Sequence, residues 1–360
     1  MTIYLLIVAY LALLGFVQGF LRDSAARKRV FLAMGFVPLF LVMGLRAPEV
    51  GIDTTPYEGY YTRIGKASDF MHIVNSAPVY SVYNKILYGI NSDPQFLLMC
   101  SSLIICAGIA YFVYHLSENV VMSAFFYVAF YFFCNAMNGM RQAMALSLCL
   151  VALAIVLKRR KWVLPLILCF LAFGVHNTCI VFVPFIFAPF IRVDKARVER
   201  FSLTLLAAVV VFAVTFTTLV GIFAALFPGW YGQYVDVVFS SKYAATGRNL
   251  IRTLFYAALL LVYYVKCVAP DYENQKCWLY LITLCGLALS TVFFQNYLLG
   301  ERIPMYYISP LIVIVPNLLQ QLQGRLRILG FLVAVLVSAA LLVVLLSGNY
   351  AGVVPYKAVI

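Results

Sequence analysis

The chain has 360 residues, 64% hydrophobic and 11% charged, with a mean hydropathy of +0.97. No soluble domain has that composition, so the sequence describes a polytopic membrane protein. Its net charge of +13 does not call for nucleic acid as a partner, because most of the excess lies in short runs between apolar segments, where the positive-inside rule accounts for it.

Apolar stretches of about 17 to 25 residues recur without the alternation of a membrane barrel, which predicts an all-α, multi-pass transmembrane helical bundle. In chain order the expected spans are about 2–20, 30–46, 95–114, 120–137, 141–157, 162–175, 178–191, 201–226, 249–265, 277–297, 304–320 and 328–347, twelve in all. The first lacks a basic start and a small-residue cleavage site and is read as a retained helix, not a signal peptide. The sixth and seventh, broken around His176 and Asn177, are alternatively re-entrant, which is tolerable only where protein or water covers the backbone. Residues 1–360 form one integral membrane domain in this reading, with outward loops at about 47–94 and 227–249.

Sixteen of the 26 Lys and Arg fall on one side of this topology, in runs such as Arg27-Lys28-Arg29, Lys158 to Lys161, Arg192 to Arg200 and Arg325 with Arg327. That side is cytoplasmic. The other side holds basic residues singly and receives both termini. The first outward loop carries Asp53, Tyr57, Tyr60, Tyr61 and His72, then an amphipathic stretch, Val79 to Ile90, expected along the interface. The second carries Trp230, Tyr231, Tyr234 and Tyr243. These aromatics form an interfacial belt or stack on sugars.

Five arginines, Arg46, Arg141, Arg248, Arg252 and Arg302, lie in apolar surroundings on the outward side, joined by Asp53, His176 and Glu301. Such groups cost about 2.5 to 3.5 kcal/mol each in a bilayer unless paired, solvated or liganded, so they are functional candidates, expected to converge on an anion. Arg141 opens a helix, where a cation opposes the dipole; an anion held by the guanidinium fork and helix N–H groups would reconcile the two. Arg302 precedes Pro304, with Glu301 as its expected orienting partner. Arg248 and Arg252 share one helical face and repel unless a ligand lies between them, although Arg252 can also snorkel. Arg46 ends a helix, where the dipole favours it, so a purely local reason for its charge is stronger there than at the other four. Asp53 and His176 are the candidate bases; a lone His between apolar runs is as often a packing residue.

The nine cysteines are scattered without a CxxC pair and read as core hydrophobes. No acidic cluster or His/Cys pair has ligand spacing, and GxSxG, Walker A and strand-borne GxGxxG motifs are absent, so no metal or cofactor is expected.

The segment Gly44-Leu45-Arg46 followed by Val50-Gly51-Ile52-Asp53-Thr54-Thr55-Pro56-Tyr57 resembles the first-loop motif, roughly R-x-x-x-x-G-x-D-x-x-x-Y, of the EpsG family of Wzy-type polysaccharide polymerases. Arg141-Gln142 opening a helix, Phe173-x-x-His176 before a run ending at Pro184, and Gly300-Glu301-Arg302 with Tyr306 and Tyr307 resemble further family motifs in the same order. At Ala77-Pro78-Val79-Tyr80 the chain departs from the family, which often carries an acid there. The resemblance implies a GT-C-like, metal-independent glycosyltransferase in the bacterial cytoplasmic (inner) membrane, its active site facing the periplasm or exterior. Its implied substrates are undecaprenyl-diphosphate-linked oligosaccharide repeats of O-antigen, capsule or exopolysaccharide, as donor and acceptor, with a chain-length regulator as a further candidate partner. Asp53, His176 and Arg302 are then the expected catalytic residues, and Arg46, Tyr57, Arg141, Gln142, Arg248, Arg252, Glu301 and Tyr306 the expected substrate contacts. The alternatives are a lipid-linked oligosaccharide flippase or exporter, with charges along a central path, and an O-antigen ligase.

Overall fold

The structure, a computed structural model, describes residues 1–21, 24–68, 77–226, 247–293 and 298–359. Within them the chain is all-helical, and the one extended contact is an isolated antiparallel bridge between Arg46 and Ala358. In chain order the helices are α1 (Thr2–Phe20), α2 (Ala25–Gly44), α3 (Thr54–Lys66), α4 (Pro78–Ile90), α5 (Pro94–Leu116), α6 (Val120–Ala129), α7 (Phe132–Asn138), α8 (Met140–Arg159), α9 (Val163–Val175), α10 (Val183–Phe187), α11 (Lys195–Leu226), α12 (Gly247–Tyr263), α13 (Asn274–Val292), α14 (Pro304–Ile308), α15 (Leu311–Gln321) and α16 (Gly324–Gly348). Short 3-10 turns flank α10, and π-turns follow α12 and precede α14.

Where described, each of the about twelve expected apolar segments is helical or a broken helix, in keeping with a polytopic helical bundle, though not every one is a full-length span. Among the described residues six helices are long and apolar enough to span a bilayer, and eight if the bent pairs α6–α7 and α14–α15 each count as one. The reason is local. Charged Arg27, Lys28 and Arg29 occupy the start of α2, α9 stops at 13 residues before His176, and the stretch after it breaks into short turns. The chain divides into two compact units, Met1–Phe190 with Ile312–Ile360, and Ile191–Leu311.

In unit 1, α8 packs between α5 and α9, α2 lies on α5, and α1 lies on α6. The most apolar window of α8 is 78% buried and that of α16 only 22%, so α8 is central and α16 peripheral. Close helix approach depends on small residues, the usual device in membranes. A Cβ on Gly108 of α5 would stand 2.8 Å from the Ser147 side chain of α8. The α6–α7 pair bends by 61° at Tyr131, a non-glycine residue at φ 71. That left-handed conformation costs roughly 1–2 kcal/mol and turns α7 so that it ends at Asn138, beside the first loop.

The two ends of unit 1 differ in charge pattern. At one, Lys28 lies over Tyr114, Arg160 donates to the Phe190 carbonyl and Arg327 donates to the Gly19 carbonyl. The other gathers the end of α2, all of α3 and α4, the start of α8 and the tail after α16. In unit 2, α13 packs against α11, α12 and α14. The indole of Trp278 donates to the Ile191 carbonyl at 2.9 Å at one end, and Arg252 meets Glu301 at the other.

Candidate functional site

In unit 1 the site begins where α2 stops at Gly44, whose carbonyl accepts from the Gln95 amide. Arg46 follows and is held from two directions. Its backbone neighbours bond the C-terminal tail, Ala47 N–H to the Lys357 carbonyl and Val359 N–H to the Leu45 carbonyl, both at 2.9 Å. Its guanidinium is fully buried, donates to the Met43 carbonyl and lies 3.9 Å from the Met140 sulfur, while Nε has no partner. Burial pulls its pKa down to about 10, against the raising influence of Tyr57, Tyr4, Glu58 and Tyr356. It therefore stays charged at neutral pH, in an ion pair with no described residue. Glu58 is shifted the opposite way: burial raises its pKa and Arg46 opposes the rise.

The loop then turns at Gly51, φ +98, where a Cβ would meet the Met137 carbonyl at 2.9 Å. Gly51 N–H donates to the Gly352 carbonyl and Thr54 Oγ1 to the Val50 carbonyl. These bonds deliver Asp53 to the head of α3, where its N–H donates to Asn138 Oδ1 at 2.9 Å. Its half-buried carboxylate makes no side-chain capping bond and no ion pair among the described residues.

Lys85 on α4 caps α3 through the carbonyls of Ile64, Gly65 and Ala67 at 3.3, 2.9 and 2.8 Å, which ties the two helices together. The amphipathic α4 is turned polar side in: Tyr80, Ser81 and Asn84 are buried and Val82, Ile86 and Ile90 exposed. A helix in the bilayer interface presents that face to lipid. Tyr80 stacks with Tyr60 at 5.8 Å and meets Tyr57 edge-on at 6.3 Å. Burial pushes the Tyr80 hydroxyl up, Tyr57 adds to the rise, and Asn84 and Arg141 oppose it, so Tyr80 offers a ring and not a base.

Arg141 lies over the Tyr80 ring at 5.0 Å, and its Nε and Nη2 both donate to the Val175 carbonyl at 3.3 Å. The dipole argument is corrected here. The cation at the start of α8 also caps the C-terminus of α9, so local stability does account for part of it. No carboxylate neutralises it among the described residues. His176 follows Val175 directly, its Nδ1 sharing a 2.7 Å hydrogen bond with Thr178 Oγ1. Gly174 lets α4 approach, since a Cβ there would fall 2.2 Å from Val79. Gln142 is buried in α8.

In unit 2, Arg252 in the first turns of α12 donates to Glu301 Oε1 at 2.7 Å, with both side chains about one-tenth exposed. The carboxylate expected to orient Arg302 pairs with Arg252, so Arg252 is housed as an ion-pair partner. Arg302 is exposed at the end of the π-turn Leu298–Arg302, and Tyr306 is fully buried. Arg248 falls within α12, in a stretch whose side chains are not described. His72, Trp230, Tyr231, Tyr234 and Tyr243 lie outside the described residues.

Unit 1 thus brings together Arg46, Asp53, Tyr57, Arg141 and His176, and unit 2 holds Arg252, Glu301, Arg302 and Tyr306. Sequence reasoning gave no role to Tyr80, Asn138 or the tail residues Gly352 to Ala358. The buried polar stripe Tyr80-Ser81-Asn84 on an otherwise apolar helix was the available signal for the first. No group of three or more His, Cys, Asp or Glu able to hold a metal occurs among the described residues.

Fold and site define a helical, multi-span membrane protein with a cationic, tyrosine-lined end. The model of the EpsG family matches residues 28–358, and the chain belongs to that family, one of Wzy-type polysaccharide polymerases. No curated protein and no solved structure matches it.

Proposed function

We propose that the protein joins undecaprenyl-diphosphate-linked oligosaccharide repeats into a surface polysaccharide on the outer face of the bacterial cytoplasmic membrane. Family membership supports a membrane polysaccharide polymerase, and the distribution of basic runs supports the side. The observation that carries the reading is Arg141: a half-buried cation held by a carbonyl and a tyrosine face, with no carboxylate against it among the described residues. Such a group suits a phosphate, because it keeps its charge and can turn its fork toward two oxygens.

In this reading Arg141 stabilises the charge that develops on the diphosphate as the glycosidic bond breaks, an electrostatic role that needs no metal. Arg46, buried behind it, adds a fixed positive field without touching substrate. Asp53 or His176 takes the proton of the acceptor hydroxyl. Tyr57 and Tyr60 offer ring faces to sugar, and Arg302 is the exposed cation that unit 2 offers to a phosphate.

Purified protein incubated with one defined diphosphate-linked repeat should yield a ladder of lengthening products. Arg141→Ala should cut the rate at least 100-fold, worth about 2.7 kcal/mol of barrier. An unchanged ladder in both Arg141→Ala and Arg302→Ala sinks the assignment. Asp53→Asn at full rate would move the base to His176.

A further inference from the structure

The end of unit 1 opposite Arg46 and Asp53 contains a cavity of about 270 Å³ lined by Gln18, Gly19, Arg27, Lys28, Glu118 and Gln320. Beside it, sharing Gly19 and Gln320, runs a slot of about 20 Å³ walled by Phe16, Phe20, Leu319, Ile328 and Phe331. The mechanism uses none of these residues.

The hydrogen-bonding capacity of this place is lopsided. Gln18, nine-tenths buried, spends its carbonyl oxygen on the Val121 N–H at 3.0 Å. Gln320 spends its own on Arg327, whose guanidinium also donates to the Gly19 carbonyl and lies 5.5 Å over the Phe20 ring. With their acceptors taken, both amides are fixed with the NH2 end as what remains to offer. Arg27 and Lys28 add donors and two positive charges, and Glu118 offsets one. With Arg327 on the shared wall, the lining holds Arg27, Lys28 and Arg327 against the single carboxylate of Glu118, and a donor-rich, net positive place matches a ligand rich in acceptors and negatively charged. The neighbouring slot has Asn119, Gln320 and Arg327 among mostly apolar walls and opens among exposed Phe20, Ile328 and Leu332, so the same ligand has an alkyl part that lies along this apolar mouth.

We propose that this cavity and slot bind an anionic glycerophospholipid, its phosphodiester among Arg27, Lys28 and the two glutamine amides and its glycerol-proximal chain against Phe16 and Phe331. The lipid bridges α1 and α2 to α15 and α16. The site stands at the basic end of unit 1, where an anionic leaflet would supply the ligand, and it does not depend on the catalytic reading.

Full-length protein in detergent, titrated with dioleoylphosphatidylglycerol, dioleoylphosphatidylethanolamine and inorganic phosphate and read by native mass spectrometry and thermal unfolding, tests it. Phosphatidylglycerol should bind about tenfold more tightly than phosphatidylethanolamine and raise the unfolding temperature, and inorganic phosphate should do neither. The Arg27→Gln/Lys28→Gln double variant should abolish the preference, while Arg159→Gln/Lys161→Gln, outside the cavity, should keep it. Gly19→Leu gives a second route that leaves both cations in place. A Cβ at Gly19 meets Arg327 Nη2 and the Asn119 amide nitrogen at 3.6 Å and the Gln320 amide nitrogen at 3.7 Å, so the longer side chain should crowd these donors, obstruct the mouth of the slot and weaken lipid binding. Equal binding of both lipids, stabilisation by inorganic phosphate alone, or a preference that survives in the double variant would overturn the proposal.

Discussion

Two buried arginines of this protein are housed in opposite ways. Arg252 in unit 2 sits against Glu301 at 2.7 Å, a closed ion pair whose fields cancel a short distance away. Arg46 in unit 1 is more deeply buried, yet it has a carbonyl, a thioether and a ring of tyrosines for company and an Nε with no acceptor. The first arrangement looks after itself. The second leaves a buried positive charge beside Met140, the sequence neighbour of Arg141, in an ion pair with no described residue, which stability alone would not select.

The sharpest way to break this comparison is to remove one partner of the closed pair. Glu301→Gln should destabilise unit 2 by about 3–5 kcal/mol, because it strands the Arg252 charge, while Arg252→Met/Glu301→Leu together should recover most of the loss. Thermal unfolding in detergent reads both. A small effect of the single change would mean that the pair is no tighter than a surface bridge.

Arg46→Met should behave the other way round. Chain elongation should drop about 100-fold, roughly 2.7 kcal/mol of barrier, and the unfolding temperature should stay level or rise, since an uncompensated buried charge has been replaced by an apolar side chain of similar length. A variant that loses stability along with activity would make Arg46 a structural residue like Arg252.

A smaller effect tests what holds Arg46 in place. Tyr356→Phe removes the hydrogen bond to the Val42 carbonyl at 3.0 Å and should cost about 1 kcal/mol, with a matching loss of elongation rate if the tail positions the loop. The smallest concerns Glu58. Its raised pKa means that its ionisation opposes folding, so it costs nothing below the ordinary carboxylate range, about pH 4.3, and its penalty grows as pH rises through the folded value. Glu58→Gln should therefore match the parent at acid pH and be slightly more stable at neutral pH, a difference visible in unfolding temperature against pH.

What could be read from the chain was whatever hydropathy and charge record directly. The apolar segments, the sorting of basic runs, and the shared end of Arg46, Asp53, Arg141 and His176 all follow from segment length and positive-inside bias. Partners of charged side chains did not. Glu301 was read as the companion of its neighbour Arg302, and nothing in the local sequence announces its bond to Arg252, 49 residues away. Arg141 was read against the dipole of its own helix because nothing in its surroundings in sequence announces the Val175 carbonyl of another. The bend at Tyr131 was equally silent, since a tyrosine at positive φ is imposed by packing and not by residue preference.

The tail after α16 crosses back over the first loop, with Ala351 and Gly352 bonding Ile52 and Gly51, Tyr4 donating to Val353, and Tyr356 reaching a carbonyl 314 residues earlier. During synthesis, then, the loop bearing Arg46 and Asp53 emerges early and waits through the insertion of nearly every other helix before its last supports leave the ribosome. A chain already in the bilayer but without those residues has its cations and lacks the frame that holds their loop.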